Sequence, residues 1–163
     1  MQYSFYGPFI GRLTSQESNL MRETKEGFVG RYEFLSNFHI EPDGTHVEGE
    51  FQKAKATNDE DRDLFIGLDP YQSKVTGNAI KLRDDWEEVK YYIMQSLVEQ
   101  KFRDHASLRR KLLNTGAIEL IEYNTWNDTV WGVANGHGKN WLGKILMGVR
   151  SKLSKELSRS RAL

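Results

Sequence analysis

The chain has 163 residues, 38% of them apolar, and its 23 Lys and Arg balance 23 Asp and Glu to a formal net charge of zero. This length predicts one domain over residues 1–163, and the charge balance excludes a global field that draws the chain to nucleic acid or membrane. Since cysteine is absent, a disulfide scaffold and cysteine-ligated zinc are excluded. The first residues lack a signal-peptide pattern and no apolar stretch approaches membrane-spanning length, so we expect a cytoplasmic protein without membrane contact.

The first half of the chain predicts short elements separated by turns. Aromatic, β-branched and glycine residues over 28–40 favour short strands or ordered loops, and Pro42-Asp43-Gly44 predicts a turn. A helix is expected from about Glu48 to Asn58. One or two short helical turns should follow within residues 59–68, before Asp69-Pro70 breaks them.

The second half is more helical. The spacing of apolar residues predicts a helix that begins near Trp86 and is capped by Asp84 or Asp85. Ser107 is expected to cap another helix, and residues 118–122 alternate as in a strand. A last helix carries apolar residues from Leu142 to Leu153. Together these elements predict a helix-rich α+β domain with a small β-sheet.

One helix face gathers groups that can perform chemistry. Glu48, Gln52 and Lys55 are spaced i, i+4 and i+7, which places them on the same face of the predicted helix. A polar stripe of this kind is usually a solvent-facing surface, so the pattern alone is weak.

A second group surrounds a glycine-rich turn. Trp126, Asp128 and Trp131 precede Gly136-His-Gly-Lys139, which is followed by Asn140 and an apolar helical pattern. Backbone N–H groups at a helix start, together with Lys139, favour an anion, although a simple helix cap is an equally good reading. The spacing fits neither a Walker A loop nor a dinucleotide fingerprint.

Metal and cofactor sites are not expected. The four histidines, at 39, 46, 105 and 137, show no metal-ligand spacing, and no nucleophile-elbow motif occurs. The C-terminal segment, residues 150–163, carries five basic residues and one acidic residue. Such a segment is usually a solvated helix face, and contact with nucleic acid is the alternative.

Several motifs in one order make the sequence more informative than any single motif. They are Phe34-Leu-Ser-Asn-Phe38, Glu48-Gly-Glu-Phe-Gln-Lys-Ala-Lys55, Leu82-Arg-Asp-Asp-Trp86, Asn127-Asp-Thr-Val-Trp-Gly132 and Gly138-Lys-Asn-Trp-Leu-Gly143. In this order they resemble the YbiA-like, or NADAR, family over about residues 28–153. The resemblance implies a compact α+β domain that hydrolyses N-glycosidic bonds of ribose derivatives.

The resemblance also implies which residues form the site. Glu48 matches the acidic residue of the family, Lys55 the lysine that ends the same motif, and Asp128 the acid before Trp131-Gly132. These three are the predicted catalytic residues. The predicted substrate-binding residues are Asn37, Phe38, Gln52, Trp86, Trp131, Gly132, Gly138, Lys139 and Asn140.

The sequence departs from the family pattern near the glutamate. Val47 stands where Ser or Thr is common, which predicts the loss of a helix cap or polar contact. Gly49 and Glu50 replace a usual His and aromatic pair, and Asn78 lies in a segment where arginine is common. Residues 1–27 do not align with the family.

The substrate implied by the resemblance is a ribose phosphate linked to a base. The preferred reading is removal of ADP-ribose from guanine in DNA or RNA, with hydrolysis of a phosphoribosyl-pyrimidine intermediate of riboflavin synthesis as the alternative. A non-catalytic module that binds ADP-ribose is the competing class. Hydrolysis requires no organic cofactor. Of the two acids, Glu48 and Asp128, one is expected to act on the sugar and the attacking water, and the other to orient a sugar hydroxyl or protonate the leaving base. Lys55 either holds an anion or attacks C1′ as an amine.

Overall fold

The computed structural model describes residues 9–10 and 32–162. The chain forms two compact units: Asn37–His105 is one, and the described parts of Met1–Ser36 and Ala106–Leu163 form the other. Within the described residues, no helix is long and apolar enough to cross a membrane. Helices predominate and the sheet is small, so the prediction of a helix-rich α+β fold is confirmed.

The unit Asn37–His105 is helical. Its four helices are α1 (Val47–Lys53), α2 (Asp59–Asp63), α3 (Pro70–Ala79) and α4 (Trp86–Asp104). Helices α1 and α3 pack against each other, and α1 also packs against α4. The core of this unit includes Phe51, Trp86, Met94, Val98 and Phe102, all buried.

The prediction that a short helical segment ends before Asp69-Pro70 is confirmed by α2, which ends at Asp63, but the helix α3 that begins at Pro70 was not predicted. Pro70 occupies the first position of α3, where a backbone N–H would have no acceptor within the helix. The Asp69 carboxylate accepts the Gln72 N–H at 2.8 Å, and the Gln72 side-chain oxygen accepts the Asp69 N–H at 3.0 Å. This reciprocal capping box begins a ten-residue helix.

Helix α1 is shorter than predicted. It ends at Lys53, after which the Lys55 N–H donates to the Gln52 carbonyl at 3.1 Å and the Ala56 N–H to the Lys53 carbonyl at 3.1 Å. These i to i−3 bonds tighten the chain beyond the helix end. Upstream, the predicted turn at Pro42–Gly44 is confirmed, since the Gly44 N–H donates to the Glu41 carbonyl at 2.8 Å and Gly44 has φ +86°.

Two charged side chains are buried together in the same unit. The Lys101 Nζ lies 3.5 Å from the Glu41 Oε1, and both side chains are almost fully inaccessible. Burial lowers the pKa of Lys101 to about 8 and raises the pKa of Glu41, while each charge favours the ionised form of the other. Removing one partner would leave the other buried alone, so we expect such a substitution to destabilise this unit.

The other unit combines the sheet with two helices. The elements are β1 (Phe9–Ile10), α5 (Ala106–Asn114), β2 (Glu122–Asn124), β3 (Val133–Ala134) and α6 (Trp141–Ser160). The strand order is β1-β2-β3, with β1 antiparallel to β2 and β2 parallel to β3. Tyr123 pairs with Phe9 on one side and with Val133 on the other.

Several predicted boundaries in the second half are wrong in detail. The strand expected at residues 118–122 begins only at Glu122. Ser107 lies inside α5 rather than capping it. Asp85 stands at the start of α4 without a side-chain cap, because its carboxylate instead binds the Arg83 guanidinium at 2.9 Å.

The early aromatic segment forms a single 3₁₀ turn, Glu33–Leu35, within its described part, and residues 28–31 lie outside the described residues. The last predicted helix is confirmed as α6. Its apolar face is buried as the spacing indicated, through Leu142, Ile145, Leu146, Val149 and Leu153.

Candidate active site

The predicted acid Glu48 lies in the first turn of α1. The cap of this helix is His46, whose Nδ1 accepts the Gly49 N–H at 2.8 Å. Its Nε2 lies 3.0 Å from the Leu68 carbonyl, so the neutral tautomer that carries hydrogen on Nε2 satisfies both contacts. The sequence predicted that Val47 leaves the helix without a polar cap, but His46, one residue earlier, caps it.

The Glu48 carboxylate is held in an environment that opposes its charge. Only 6% of the residue is exposed, and its Oε1 accepts a hydrogen bond from the Gln52 Nε2 at 2.8 Å. Burial raises the pKa of Glu48, and the Gln52 hydrogen bond and the charges of Lys74 and Lys55 oppose that shift only in part. A carboxyl group with a raised pKa is suited to exchange protons near neutral pH.

Lys55 lies beyond the end of α1, and its charge acts on Glu48. It is 9% exposed, and its Nζ donates to the Gly77 carbonyl at 3.3 Å. The same Nζ lies 5.8 Å from the centre of the Trp86 ring. Burial, and then the charge of Lys74, lower the pKa of Lys55, whereas Glu48 raises it. The net direction is downward, which increases the fraction of neutral amine.

Trp86, Asn37 and Phe38 belong to the same unit. Trp86 is buried, with its ring centre 4.9 Å from that of Phe51. The Asn37 carbonyl accepts the Glu48 N–H at 3.0 Å, and its side-chain amide donates to the Met94 sulfur at 3.5 Å. These contacts give Asn37 and Trp86 structural roles around Glu48, and their contact with a substrate stays a prediction.

Gly77 permits the close approach of α3 to Gln52. A Cβ placed on Gly77 would lie 2.1 Å from the Gln52 Oε1 and 2.9 Å from its Cβ. We expect Gly77→Ala to destabilise the protein by about 1–3 kcal/mol. The overpacking against Gln52 should destabilise the fold by more than the higher helix propensity of alanine stabilises it. Urea unfolding monitored by circular dichroism measures this change.

Gly148 provides the matched control for Gly77, since it is also inside a helix and a Cβ there would meet nothing within 4 Å. Gly148→Ala should stabilise the protein by about 0.5–1 kcal/mol. If both substitutions stabilise equally, the close approach at Gly77 is not a constraint on the fold.

Asp128 organises a turn in the other unit. Its Oδ1 accepts the N–H groups of Val130 at 3.0 Å and Trp131 at 2.9 Å. The Asn124 side chain holds the Asp128 backbone on both sides, donating to its carbonyl at 2.7 Å and accepting its N–H at 2.9 Å. Asp128 therefore has a structural role, and its catalytic role stays a prediction.

Trp131 and Gly132 follow that turn. The Trp131 ring contacts the Trp141 ring edge to face, with centres 5.5 Å apart. A Cβ on Gly132 would lie 2.3 Å from the Glu122 carbonyl oxygen, so the pairing of β2 and β3 requires glycine there. Their predicted contact with substrate stays a prediction.

The glycine-rich turn was predicted to bind an anion or simply to cap a helix. The N–H groups of four consecutive residues, Lys139 to Leu142, donate to carbonyls of residues 129–132. These four hydrogens are therefore not available to a phosphate, and anion binding by the rest of the turn stays a prediction. The four bonds are Lys139 to Thr129 at 2.8 Å, Asn140 to Gly132 at 3.3 Å, Trp141 to Val130 at 3.2 Å and Leu142 to Trp131 at 3.0 Å.

The side chains of this turn have separate roles. The buried Asn140 amide accepts the Glu122 N–H at 3.0 Å and donates to the Leu120 carbonyl at 2.9 Å. Gly138, with φ +154°, approaches Gly132 so closely that a Cβ would lie 2.1 Å from its carbonyl oxygen. The exposed Lys139 has its Nζ 5.0 Å from the Trp141 ring centre. Substrate binding by these three residues stays a prediction.

Three residues of the Glu48 cluster were missed from the sequence: His46, Lys74 and Gly77. Lys74 and Gly77 lie on α3, which was hidden by interpreting Asp69-Pro70 as a break. The pattern Asp-Pro-x-Gln is a helix-start signal and would have revealed it. His46 is not among the commonest N-cap residues, so propensity alone does not identify it.

Comparison with known proteins identifies the family. Residues 30–154 match the NADAR domain. The N-glycosidase YbiA of Shigella boydii is 46% identical over 76 residues, which are 46% of this chain and 47% of that protein. An N-glycosidase of Nostoc punctiforme is 36% identical over 142 residues, covering 78% of this chain and 89% of its own.

Two further relatives extend the comparison. A riboflavin biosynthesis protein of Vibrio vulnificus is 42% identical over 72 residues, which are 44% of this chain and 19% of that protein. The solution structure of Escherichia coli YbiA superposes with a TM-score of 0.69 at 34% identity, covering 79% of this chain and 84% of its own. The alignments with the YbiA sequences span about half the length of those relatives. From the match over residues 30–154 and the shared fold, the chain belongs to the NADAR domain family.

Proposed function

We propose that the protein is an N-glycosidase, which hydrolyses the bond between ribose and a base in a phosphorylated ribose derivative. The observation that carries this proposal is the buried Glu48 carboxyl group, hydrogen-bonded to Gln52 and close to the buried Lys55. Relatives that carry the name N-glycosidase support it. Of the three predicted catalytic residues, the proposal uses Glu48 and Lys55. The described contacts of Asp128 are those of a turn, and its catalytic role stays a prediction.

Cleavage of an N-glycosidic bond requires a proton for the leaving nitrogen and a stabilised positive charge at C1′. Glu48 meets the first need in its protonated form, which its burial favours. Once ionised, the same carboxylate stabilises the cation or activates the attacking water. Gln52 keeps the carboxyl group in one orientation through both steps.

Lys55 has two roles open to it. As a cation it holds an anionic group of the substrate. As a neutral amine it attacks C1′ of the ring-opened sugar: a C1′–N bond to Lys55 forms, the base leaves with a proton from Glu48, and a Schiff base results. Water then hydrolyses the Schiff base and restores the free amine, so the net reaction is that of a hydrolase. The lowered pKa of Lys55 favours the second route.

The substrate we propose is ADP-ribose attached to guanine in nucleic acid. A stripe of exposed cations on α6 supports a nucleic-acid substrate. Lys144, Lys152, Lys155 and Arg159 are exposed and fall within one quarter of the helix circumference at 100° per residue, beside the buried face. A row of this kind follows phosphates along a strand. The riboflavin relative supports the alternative, a phosphoribosyl-pyrimidine metabolite.

Hydrolysis of ADP-ribosylated guanine in an oligonucleotide, followed by mass spectrometry, tests this function. Release of free ADP-ribose is the expected result. Cleavage of the riboflavin intermediate alone would assign the protein to metabolite hydrolysis. Absence of both activities, with retained binding of ADP-ribose, would make it a binding module.

The α6 stripe gives a separate prediction. The double variant Lys144→Ala, Lys155→Ala should bind an ADP-ribosylated single-stranded oligonucleotide more weakly and with less salt dependence. Each lost phosphate contact should reduce the slope of log affinity against log salt by about 0.7. Fluorescence anisotropy across a salt series measures this slope. Ser151→Ala, an exposed neutral change beside the stripe, is the control. If the double variant shows the same slope of log affinity against log salt as the wild type, the exposed cations of α6 do not contact the nucleic acid.

A further inference from the structure

The side-chain amide of Gln52 uses one of its two ends. Gln52 is 5% exposed, and its Nε2 donates to the Glu48 Oε1 at 2.8 Å. Among the residues that the structure describes, no donor reaches the buried Oε1 of the same amide. Most buried acceptors in folded proteins are paired, because an unpaired one costs about 1–3 kcal/mol. The position of this acceptor beside the proposed acid therefore calls for a physical explanation.

Gly77 provides the space for this oxygen. A Cβ at Gly77 would lie 2.1 Å from the Gln52 Oε1 and 2.9 Å from its Cδ. The amide thus lies between the Glu48 carboxyl group and the backbone of α3, with its NH2 toward the acid and its oxygen toward Gly77. The two ends of a carboxamide are similar in size, and the terminal torsion of glutamine is broad and roughly two-fold. The amide can therefore turn over within the same space.

Each protonation state of Glu48 needs a different end of this amide. An ionised carboxylate only accepts hydrogen bonds, and the NH2 in its present orientation serves it. A protonated carboxyl group carries an O–H that requires an acceptor when it is buried, and the Gln52 oxygen supplies one once the amide has turned. The present hydrogen bond lowers the pKa of Glu48. An amide fixed in this orientation would therefore oppose the protonated form that donates to the leaving base.

We propose that Gln52 is a positioning residue whose amide turns over whenever Glu48 gains or loses its proton. This inference rests on the proposed function for the acid–base cycle. In the free protein, the O–H of protonated Glu48 donates to the Gln52 Oε1. When that proton has passed to the leaving nitrogen, the Gln52 NH2 turns to the carboxylate. A proton from the attacking water then returns to Glu48 and restores the first state, while Gln52 neither gains nor loses a proton.

Nuclear magnetic resonance of the free protein tests this without requiring turnover. A pH titration of the Glu48 carboxyl carbon identifies the range in which this group ionises. We expect the nuclear Overhauser effect between the Gln52 NH2 and the Gly77 α protons to be strong when Glu48 is protonated. It should weaken severalfold when Glu48 is ionised. The control is Gln72, whose side-chain oxygen accepts the Asp69 N–H, so its amide should keep one orientation throughout.

The variant Gln52→Met adds a kinetic test on any substrate that the protein hydrolyses. Methionine is unbranched like glutamine but forms neither hydrogen bond with Glu48. We expect kcat to fall by about tenfold or more while KM stays within about threefold. The limb of the pH–rate profile that reports Glu48 should move to higher pH, because the carboxylate loses a donor that lowers its pKa. A purely structural role would lower the thermal midpoint and leave this limb in place.

The outcomes separate this proposal from the proposed function. An amide that turns with the ionisation of Glu48 supports the role of Gln52 even if the wild-type protein hydrolyses neither proposed substrate. A nuclear Overhauser effect of constant strength across the Glu48 transition would overturn the proposal, as would the absence of any transition. If hydrolysis occurs while the amide stays fixed, Glu48 remains the proposed acid and only the role of Gln52 is rejected.

Discussion

Replacing Glu48 with glutamine should slow release of ADP-ribose from guanine by at least about two orders of magnitude, the usual scale for loss of an acid–base group. Glutamine keeps the size and hydrogen-bonding capacity of the side chain but cannot exchange a proton. Single-turnover hydrolysis followed by mass spectrometry measures the effect. The matched control is Glu50→Gln, which changes an exposed carboxylate on the same helix and should leave the rate near that of wild type.

The stability of Glu48→Gln provides an independent check. Burial raises the pKa of Glu48 above its ordinary value of 4.5, so the folded state binds this proton more tightly than the unfolded state. Between the unfolded and the folded pKa, the free energy of unfolding contributed by Glu48 therefore falls as pH rises. Glutamine does not titrate, so the variant should gain stability relative to wild type above about pH 4.5. Near-normal turnover by a well-folded Glu48→Gln protein would remove Glu48 from the mechanism.

Loss of Lys55 should have a comparable effect. Lys55→Met removes both the charge and the amine, and we expect it to reduce the rate by at least about two orders of magnitude. Lys55→Arg keeps the charge but cannot form a Schiff base, and it should be nearly as inactive if the amine is the nucleophile. Borohydride added during turnover should then trap substrate on Lys55 of the wild-type protein, detectable by peptide mass spectrometry.

The opposite pattern would assign an electrostatic role to Lys55. Substantial activity in Lys55→Arg, with no trapped adduct on an active wild-type protein, would show that only the charge is needed. Lys53→Met is the control, since this lysine is exposed and two residues away. Borohydride should trap no substrate on Lys53 of the wild-type protein. The variant Lys53→Met should turn over substrate at the wild-type rate.

The sequence was most informative where side-chain spacing alone determines proximity. The i, i+4, i+7 pattern placed Glu48, Gln52 and Lys55 together, and the structure brings them together although α1 ends before Lys55. The i to i−3 bonds after the helix keep Lys55 near the same side. The apolar spacing of α6 was similarly sufficient to predict its buried face.

The sequence was least informative where a backbone group had several possible partners. The N–H groups before α6 were expected to bind an anion, but the turn organised by Asp128 brings carbonyls to them first. This competition depends on tertiary folding of residues 129–132, which no local pattern reveals. The effect of Lys74 on the pKa of Glu48 could not be predicted without knowing how α3 packs on α1. Strand β3 has two residues, which is too short to show the alternation of apolar and polar residues that identifies a strand.

The cap of α1 has an evolutionary consequence. The His46 ring occupies the space beside Gly49, where a Cβ would lie 2.4 Å from the His46 Cε1. Any side chain at 49 therefore displaces the ring, and loss of the ring uncaps the helix that carries Glu48. We therefore expect substitutions at the two positions to depend on each other, so that a side chain at 49 is better tolerated when the residue at 46 is smaller. Mutational libraries that vary both positions together would reveal this dependence.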